Sequence, residues 1–351
     1  FLLFLGYSST TLFSVSVSVV PQRSPPSKRT LVSMSAFSEP ISLPSPASSS
    51  SSTLHDCSFS FSGKRLATCS GDRSISVYDL SSSGPPGGWE QTATWQAHEG
   101  SVWKVDWAHP EFGQILVSCG DDSTAQIWEE QAGSTSANRW VKKASLTDAR
   151  KPVNAVALAP RHLGLRLATG GADGIVRVYE AVDVLNLESW PLSQRFDADV
   201  GSEVGVTSLS WCGARFDPPS LVVGGSSGAV KVWTFSETER RWNVAWDLGK
   251  GERCLDVKWA NGVGRSFHRV AAAYGPAVRV YTFPREKKAK KHDEDDSDSD
   301  QVDVKELEVD GDVWRLDWNE TGTMLATSGE DGRVGMWKAD FEGVWHKVEN
   351  V

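Results

Sequence analysis

The chain has 351 residues, of which 39% are hydrophobic, so it can hold one large domain or two ordinary ones. Its formal net charge of −9 argues against a broad nucleic-acid-binding surface, because such surfaces are basic. The 5 cysteines are scattered, with no C-x-x-C pair or Cys/His cluster in the linear sequence. We therefore expect reduced thiols and neither a zinc site nor any other metal site.

The first 53 residues differ in composition from the rest of the chain. Residues 1–20 are apolar and rich in serine, and Ser38–Thr53 is rich in serine and proline, which is typical of a flexible segment. We expect residues 1–53 to be disordered or misassigned upstream sequence, with Met34 as a candidate start. A signal or transit peptide is the alternative, whereas the apolar run is too short and too interrupted for a membrane span.

A repeat runs from residue 54 to the end of the chain. Each copy contains the pattern apolar-x-x-apolar-x-bulky, as in Val102–Trp107 and Val313–Trp318, and Phe59 and Phe61 hold the equivalent place in the first copy. Residues two apart share one face of a strand, so each such pair points into one interface. An apolar run then ends in an aromatic residue about every 50 residues. These closing aromatics are Tyr78, Trp128, Tyr179, Trp233, Tyr281 and Trp337.

Each copy also predicts two further strands around this core. A strand that ends in a tight turn precedes the closing aromatic. In four copies the turn holds glycine and aspartate, as in Leu66–Asp72 and Leu116–Asp122, whereas the copies around Ser227 and Gly275 lack the aspartate. A fourth strand follows it. The predicted fourth strands are residues 89–96, 139–146, 191–197, 241–248, 302–309 and 343–348. Six copies of four strands predict an all-β fold, a six-bladed β-propeller over residues 54–351. We place the blades at about 54–97, 98–147, 148–198, 199–249, 250–310 and 311–351.

The repeats resemble WD repeats. In that family a histidine, a serine or threonine, the turn aspartate and the closing tryptophan form one hydrogen-bonded set. The second copy holds all four members, at His98, Ser118, Asp122 and Trp128. The resemblance implies that these residues are structural.

Every predicted blade is contiguous in the sequence, so no strand is left over to close the ring. We therefore expect the propeller to be open at the junction between the first and last blades, which we call the seam. Blade faces and strand edges that are exposed there can bind another chain. The residues predicted to line or support the seam are Phe59, Phe61, Trp314, Leu316 and Trp318. In the alternative, residues 13–20, which alternate with period two, form a strand that clasps the ring.

Several loops carry a more specific resemblance. They are Trp107–Gln114, Ala159–Thr169, Asp183–Trp190, Asn261–His268 and Val313–Thr323. Together they resemble the SEH-type WD-repeat nucleoporins, which are paralogues of the small WD subunit of the COPII coat. The resemblance implies an open propeller to which a scaffold nucleoporin donates a seventh blade. It further implies other partners in the Y-shaped outer-ring complex of the nuclear pore, at the nuclear envelope, and a role in protein and mRNA transport. A second role in a vacuolar or lysosomal complex that regulates TOR signalling is implied as well.

The charged run over residues 285–301 is basic in its first half and acidic in its second. We expect a solvated, disordered loop within the fifth blade. The alternative is a nuclear-localisation patch, or an acidic loop phosphorylated at Ser297 and Ser299.

The sequence holds no arrangement of a nucleophile, a base and an orienting group, and the paired carboxylates Asp121 and Asp122 lie in a predicted turn. We therefore expect no enzyme activity, catalytic residue, cofactor or small-molecule substrate, and neither direct nucleic-acid binding nor membrane insertion. Two other functions are left open: a COPII-type coat subunit, and a closed WD adaptor of a ubiquitin ligase.

Overall fold

The computed structural model describes residues 2–6, 12–16, 53–81, 88–131, 139–202, 204–262, 264–285, 302–330, 332–340 and 343–350. Strands dominate these residues, and two short 3-10 turns, Pro110–Phe112 and Arg161–Leu163, follow the first strands of two blades. No helix within these ranges is long and apolar enough to cross a membrane.

Four blades are separate four-stranded antiparallel sheets, each built from consecutive strands. Blade 1 comprises β3 (Leu54–Phe59), β4 (Arg65–Ser70), β5 (Ser74–Leu80) and β6 (Trp89–Gln96). Blade 2 comprises β7 (Val102–Trp107), β8 (Ile115–Gly120), β9 (Ala125–Glu130) and β10 (Trp140–Leu146). Blade 3 comprises β11 (Val153–Leu158), β12 (Arg166–Gly171), β13 (Ile175–Glu180) and β14 (Leu192–Asp197). Blade 4 comprises β15 (Val206–Trp211), β16 (Ser220–Gly225), β17 (Ala229–Ser236) and β18 (Arg241–Lys250).

The last two blades form one continuous sheet of seven strands. Its strands are β19 (Asp256–Trp259), β20 (Phe267–Ala273), β21 (Gly275–Pro284), β22 (Asp303–Trp318), β23 (Met324–Gly329), β24 (Val334–Ala339) and β25 (Trp345–Asn350).

Strand β22 belongs to both of these blades. Residues 303–308 pair with β21 and residues 315–318 pair with β23, whereas Val313 pairs with a residue of each strand. Gly311 lies between the two parts with φ of 92°, a conformation that favours glycine. Strand β22 is therefore the outermost strand of blade 5 and the innermost strand of blade 6. The structure thus has six sets of four strands, and the predicted all-β propeller fold is confirmed.

Apolar clusters join consecutive blades, because alternate residues of a strand face opposite sides of its sheet. Between blades 1 and 2, for example, Ala67 and Val77 pack with Val105 and Trp128, and all four are at least nine-tenths buried. Similar clusters join blades 2 and 3, 3 and 4, 4 and 5, and 5 and 6. The core of the molecule is therefore divided into layers between the blades.

The innermost strands of all six blades line one central cavity of about 580 Å³. The innermost strands carry several charged side chains into its walls, which are Asp56, Lys104, Asp106, Asp256, Lys258, Arg315 and Asp317. A shared cavity of this kind shows that the six blades surround one axis.

A hairpin near the start of the chain forms a sheet of its own beside the last blade. Strand β1 (Leu2–Gly6) pairs with β2 (Leu12–Ser16) in a two-stranded sheet, and some Cα atoms of β1 lie within 8 Å of β22 and β23. The alternative of a clasping strand at residues 13–20 is therefore not realised over residues 13–16, because β2 pairs with β1 and joins no blade. Residues 17–52 and 286–301, including Ser297 and Ser299, lie outside the described residues.

Candidate partner-binding seam

The four residues of the predicted WD hydrogen-bonded set meet inside blade 2. His98 Nδ1 lies 2.9 Å from Asp122 Oδ2, and His98 Nε2 lies 2.8 Å from Ser118 Oγ. Trp128 Nε1 donates to the same hydroxyl at 3.1 Å. A carboxylate only accepts, so Nδ1 donates to Asp122 and Nε2 accepts from Ser118. Burial lowers the pKa of His98 despite the neighbouring Asp122. The set therefore joins the turns and strands of one blade with a neutral imidazole.

Buried carboxylates on the innermost strands hold neighbouring blades together. Asp106 of blade 2 accepts a hydrogen bond from the backbone N–H of Leu158 in blade 3 at 2.9 Å. Asp256 of blade 5 likewise accepts from the N–H of Leu316 in blade 6 at 3.0 Å. Both side chains replace a hydrogen bond to water with one to the next blade, as buried polar groups require.

The charges in the central cavity stabilise one another. Burial alone would raise the pKa of Asp256, but the cations Lys104, Arg315 and Lys258 outweigh it and lower that pKa. Burial would lower the pKa of Lys258, and the surrounding carboxylates, Asp317 first among them, raise it instead. The opposite charges of the cavity thus stabilise one another, which gives these buried side chains a structural role.

Tryptophan side chains provide a second link between blades. Trp107 Nε1 of blade 2 donates to the carbonyl oxygen of Ser58 in blade 1 at 3.0 Å. Trp318 of blade 6 makes the same bond to Lys258 in blade 5, also at 3.0 Å. In blade 1 the equivalent position is Phe59, which has no N–H group. Residue 59 of blade 1 therefore cannot donate such a hydrogen bond to blade 6.

Within the described part of the chain, Arg315 makes the polar contacts that cross the seam. Arg315 Nη2 of blade 6 donates to the carbonyl oxygen of His55 in blade 1 at 3.1 Å, and Arg315 Nε lies 3.8 Å from Asp56 Oδ1. Among the described residues, no hydrophobic cluster spans blades 6 and 1 in the way that clusters span the other five junctions. The seam is thus built differently from every other blade junction.

Both blade faces at the seam are apolar. Blade 6 contributes a cluster of its own, made of Met324, Ala326, Val334 and Met336. In blade 1, Ala67 and Val77 face blade 2, so the paired neighbours Leu66 and Tyr78 face the opposite side, toward the seam. Leu66 and Tyr78 are also buried.

Comparison with known proteins agrees with this architecture. The family model "WD domain, G-beta repeat" matches residues 44–79, 89–129 and 303–338. The chain is 39% identical over 307 residues to Nucleoporin SEH1 of Homo sapiens and to Nucleoporin SEH1-A of Xenopus laevis, with 83% of both chains covered in each case. It is equally similar to Nucleoporin SEH1 of Danio rerio, of which 82% is covered.

The chain belongs to the SEH1 family of nucleoporins. The predicted resemblance to SEH-type WD-repeat nucleoporins is therefore confirmed. As a nucleoporin, the protein belongs to the nuclear pore complex at the nuclear envelope, where it has a scaffold role.

The five residues that the sequence predicted for the seam of this nucleoporin lie in different surroundings. Phe59 ends β3, and its ring centroid lies 5.6 Å from that of Trp89 in the same blade. Phe61 lies beyond the end of β3 and is 59% exposed. Its ring centroid is 4.5 Å from that of His109 in blade 2, so Phe61 points away from blade 6.

The other three predicted residues lie on β22. Trp314 is half exposed and lines a shallow cavity of about 270 Å³ at one mouth of the central channel. Leu316 and Trp318 are buried in the cluster between blades 5 and 6. They can support the seam by fixing the innermost strand of blade 6, but they do not line it.

Sequence reasoning missed Arg315 and the apolar face around Met336. Met336 directly precedes the closing aromatic of its repeat, as Val77 does in blade 1, and Val77 packs into a blade junction. An alignment of the copies at their closing aromatics would therefore have marked Met336. Arg315 carried no such signal, because Lys104 occupies the equivalent place in blade 2 and contacts carboxylates within the cavity instead.

Proposed function

We propose that this nucleoporin is a non-enzymatic scaffold subunit of the Y-shaped outer-ring complex, in which a partner nucleoporin inserts strands at the seam as a seventh blade. The observation that carries this proposal is the contrast between the seam and the other junctions. The seam has apolar faces on both sides and an arginine contact at its centre, whereas each other junction has its own hydrophobic cluster. Through this assembly the protein would support transport of protein and mRNA.

The chemistry of the seam favours a β-strand partner over a helix or a small ligand. Adjacent blades in this molecule meet through the alternating apolar side chains of strands, and the seam offers two faces of that kind. Added strands with one apolar face would complete the same packing, with main-chain hydrogen bonds supplying affinity. Other subunits of the outer ring would bind through this pair, and the same seam could serve the TOR-regulating complex.

Affinity purification of the tagged full-length chain from cells, followed by mass spectrometry, tests the assignment. Outer-ring nucleoporins recovered at stoichiometric amounts support it. Recovery of coat proteins indicates a COPII-type subunit, and recovery of ubiquitin-ligase subunits indicates a closed adaptor. Either of these results, without nucleoporins, overturns the proposal.

A pair of matched variants then tests the seam. Met336→Ala removes apolar volume from the seam face of blade 6, and Val77→Ala removes it at the equivalent position of blade 1, in the junction with blade 2. We expect both to lower the stability of the free protein, by up to about 2–5 kcal/mol for Met336→Ala. At equal amounts of folded protein, only Met336→Ala should weaken partner recovery. Equal recovery of the partner with both variants would show that the partner does not bind at the seam.

A further inference from the structure

Three side chains with metal-binding atoms meet between blades 4 and 5. Cys212 directly follows β15, Asp217 lies in the loop from β15 to β16, and His268 is the second residue of β20. One ligand atom from each of the three lies within 4.8 Å of the others. Thiolate, imidazole and carboxylate are the three ligand types that bind zinc in proteins.

The spacing of two of these atoms matches the edge of a zinc tetrahedron. His268 Nε2 lies 3.3 Å from Asp217 Oδ2, yet Oδ2 makes no hydrogen bond within the described residues. Zinc binds nitrogen and oxygen at about 2.0–2.2 Å, so two such ligands at a tetrahedral angle are separated by about 3.3–3.5 Å. The same ion would be shared with Cys212 Sγ after a small closing movement.

An unsatisfied buried atom gives an independent sign of a missing ligand. Asp217 Oδ2 is buried without a hydrogen-bond partner among the described residues. His268 is only 7% exposed and Cys212 only 3%. Buried polar atoms are nearly always satisfied by protein, water or an ion, so the unsatisfied carboxylate oxygen beside His268 Nε2 requires an explanation. The rings of Trp259 and Phe283, with centroids 5.1 and 5.4 Å from that of His268, hold the imidazole in place.

One cation already lies beside the cluster. Arg285 Nη1 is 3.5 Å from Asp217 Oδ1, and Arg285 Nη2 donates to the carbonyl oxygen of Gly262 at 2.8 Å. The guanidinium thus neighbours Oδ1, whereas Oδ2 faces His268. An aspartate that holds a metal through one oxygen and an arginine through the other is oriented by that second contact.

We propose that Cys212, Asp217 and His268 form a zinc site, with the fourth position of the tetrahedron filled by water. Cys212 binds as the thiolate, and its proton passes to solvent when the ion enters. Because Cys212 and Asp217 belong to blade 4 and His268 to blade 5, the ion would fix the β15–β16 loop to the neighbouring blade. This role is independent of the proposed partner at the seam.

Metal binding by the full-length chain tests the proposal directly. The protein is treated with chelator, dialysed against Co²⁺ or Zn²⁺, and its bound metal is measured by elemental analysis. We expect one ion per chain. With Co²⁺ we also expect a thiolate charge-transfer band and the intense visible bands of a tetrahedral site. An absence of both stoichiometric metal and the charge-transfer band overturns the proposal.

Substitutions identify the ligands. Cys212→Ser and His268→Gln should each weaken metal binding. The loss of affinity should exceed ~10–100-fold, which is the effect of removing a residue that only hydrogen-bonds to a metal ligand. Cys57→Ser in blade 1 and His109→Gln in blade 2 are the matched controls and should bind the metal as the unaltered chain does. Undiminished binding by Cys212→Ser would contradict the assignment.

A measurement on the unaltered chain covers the case in which these variants fail to fold. In mild denaturant, the rate at which an alkylating reagent labels Cys212 is followed by peptide mass spectrometry with and without Zn²⁺. The proposed site predicts at least tenfold slower labelling of Cys212 with Zn²⁺, and little change at Cys57. Equal labelling rates at Cys212 would overturn the proposal.

Discussion

Arg315 Nη2 donates a hydrogen bond of 3.1 Å to the carbonyl oxygen of His55, and this contact joins the last innermost strand of the propeller to the first. Elsewhere around the ring, buried carboxylates such as Asp106 and Asp256 accept from the backbone of the next blade. The seam therefore depends on a long side chain that reaches across, rather than on a short one that is fixed by its own strand.

Replacement of this arginine should loosen the seam selectively. We expect Arg315→Ala to lower the free energy of unfolding by about 1 kcal/mol, because a partly exposed charged hydrogen bond is lost. Amide hydrogen exchange in β3 should increase, whereas exchange in blades 2–4 should not. Arg253→Ala, at an exposed arginine near the same mouth of the channel, is the control. Unchanged exchange in β3 would show that other contacts hold the seam.

The indole hydrogen bond between blades 5 and 6 can be isolated by a matched pair of substitutions. Trp318 and Trp242 are both 8% exposed, but Trp318 Nε1 donates to Lys258 and Trp242 Nε1 has no partner among the described residues. Both Trp→Phe substitutions remove similar volume, so their difference reports the hydrogen bond. Urea unfolding should show that Trp318→Phe costs about 0.5–1.5 kcal/mol more than Trp242→Phe. Equal losses of unfolding free energy would show that packing, and not the hydrogen bond, accounts for the cost of Trp318→Phe.

The junction between blades 1 and 2 should depend more strongly on its arginine than the seam does. Arg65 donates to Asp79 and to Glu130, each at 2.9 Å, and its side chain is only 14% exposed. Its guanidinium carbon also lies 5.2 Å from the ring centroid of Trp107. Arg65→Ala should therefore lower the free energy of unfolding by about 1.5–3 kcal/mol. If chemical denaturation showed that Arg65→Ala loses less free energy of unfolding than Arg315→Ala does, this ranking of the two junctions would be wrong.

Stability should fall in mild acid. Burial holds the pKa of His98 below its ordinary value, although Asp122 opposes the shift. Below the unfolded-state pKa of about 6.5, the unfolded chain binds more protons, so the free energy of unfolding decreases from pH 7 to pH 5.

The difference between the unfolding free energies at pH 7 and pH 5 measures this linkage. It should be smaller in His98→Gln than in the unaltered chain, because one of the linked protons is gone. An equal difference in His98→Gln would mean that His98 does not contribute.

Much of the fold follows from the repeat, because a short pattern determines each strand. The predicted fourth strand at residues 89–96 coincides with β6, and the prediction at 241–248 lies within β18. The shared strand β22 was not predicted. The repeat pattern treats each blade separately, whereas Gly311 lets one strand pass from blade 5 into blade 6.

The candidate sites were less predictable, because they depend on how strands end and on which loops meet. Phe61 was expected to share a face with Phe59, but the chain turns after Phe59, where Gly63 N–H donates to the carbonyl oxygen of Ser60 at 2.8 Å. Cys212 and His268 are far apart in the sequence and come together only when blades 4 and 5 pack. Linear spacing carries no signal for such a cluster.

The contiguity of the blades has a consequence for synthesis on the ribosome. Every described blade is made of strands that leave the ribosome one after another, so blade 1 can pair all four of its strands long before residue 351 is translated. A ring closed by a strand from the opposite terminus would instead keep one blade incomplete until the chain was released. Because local pairings form sooner than distant ones, this propeller can fold vectorially, and contacts across the seam, such as that between Arg315 and His55, form only after blade 6 has been translated.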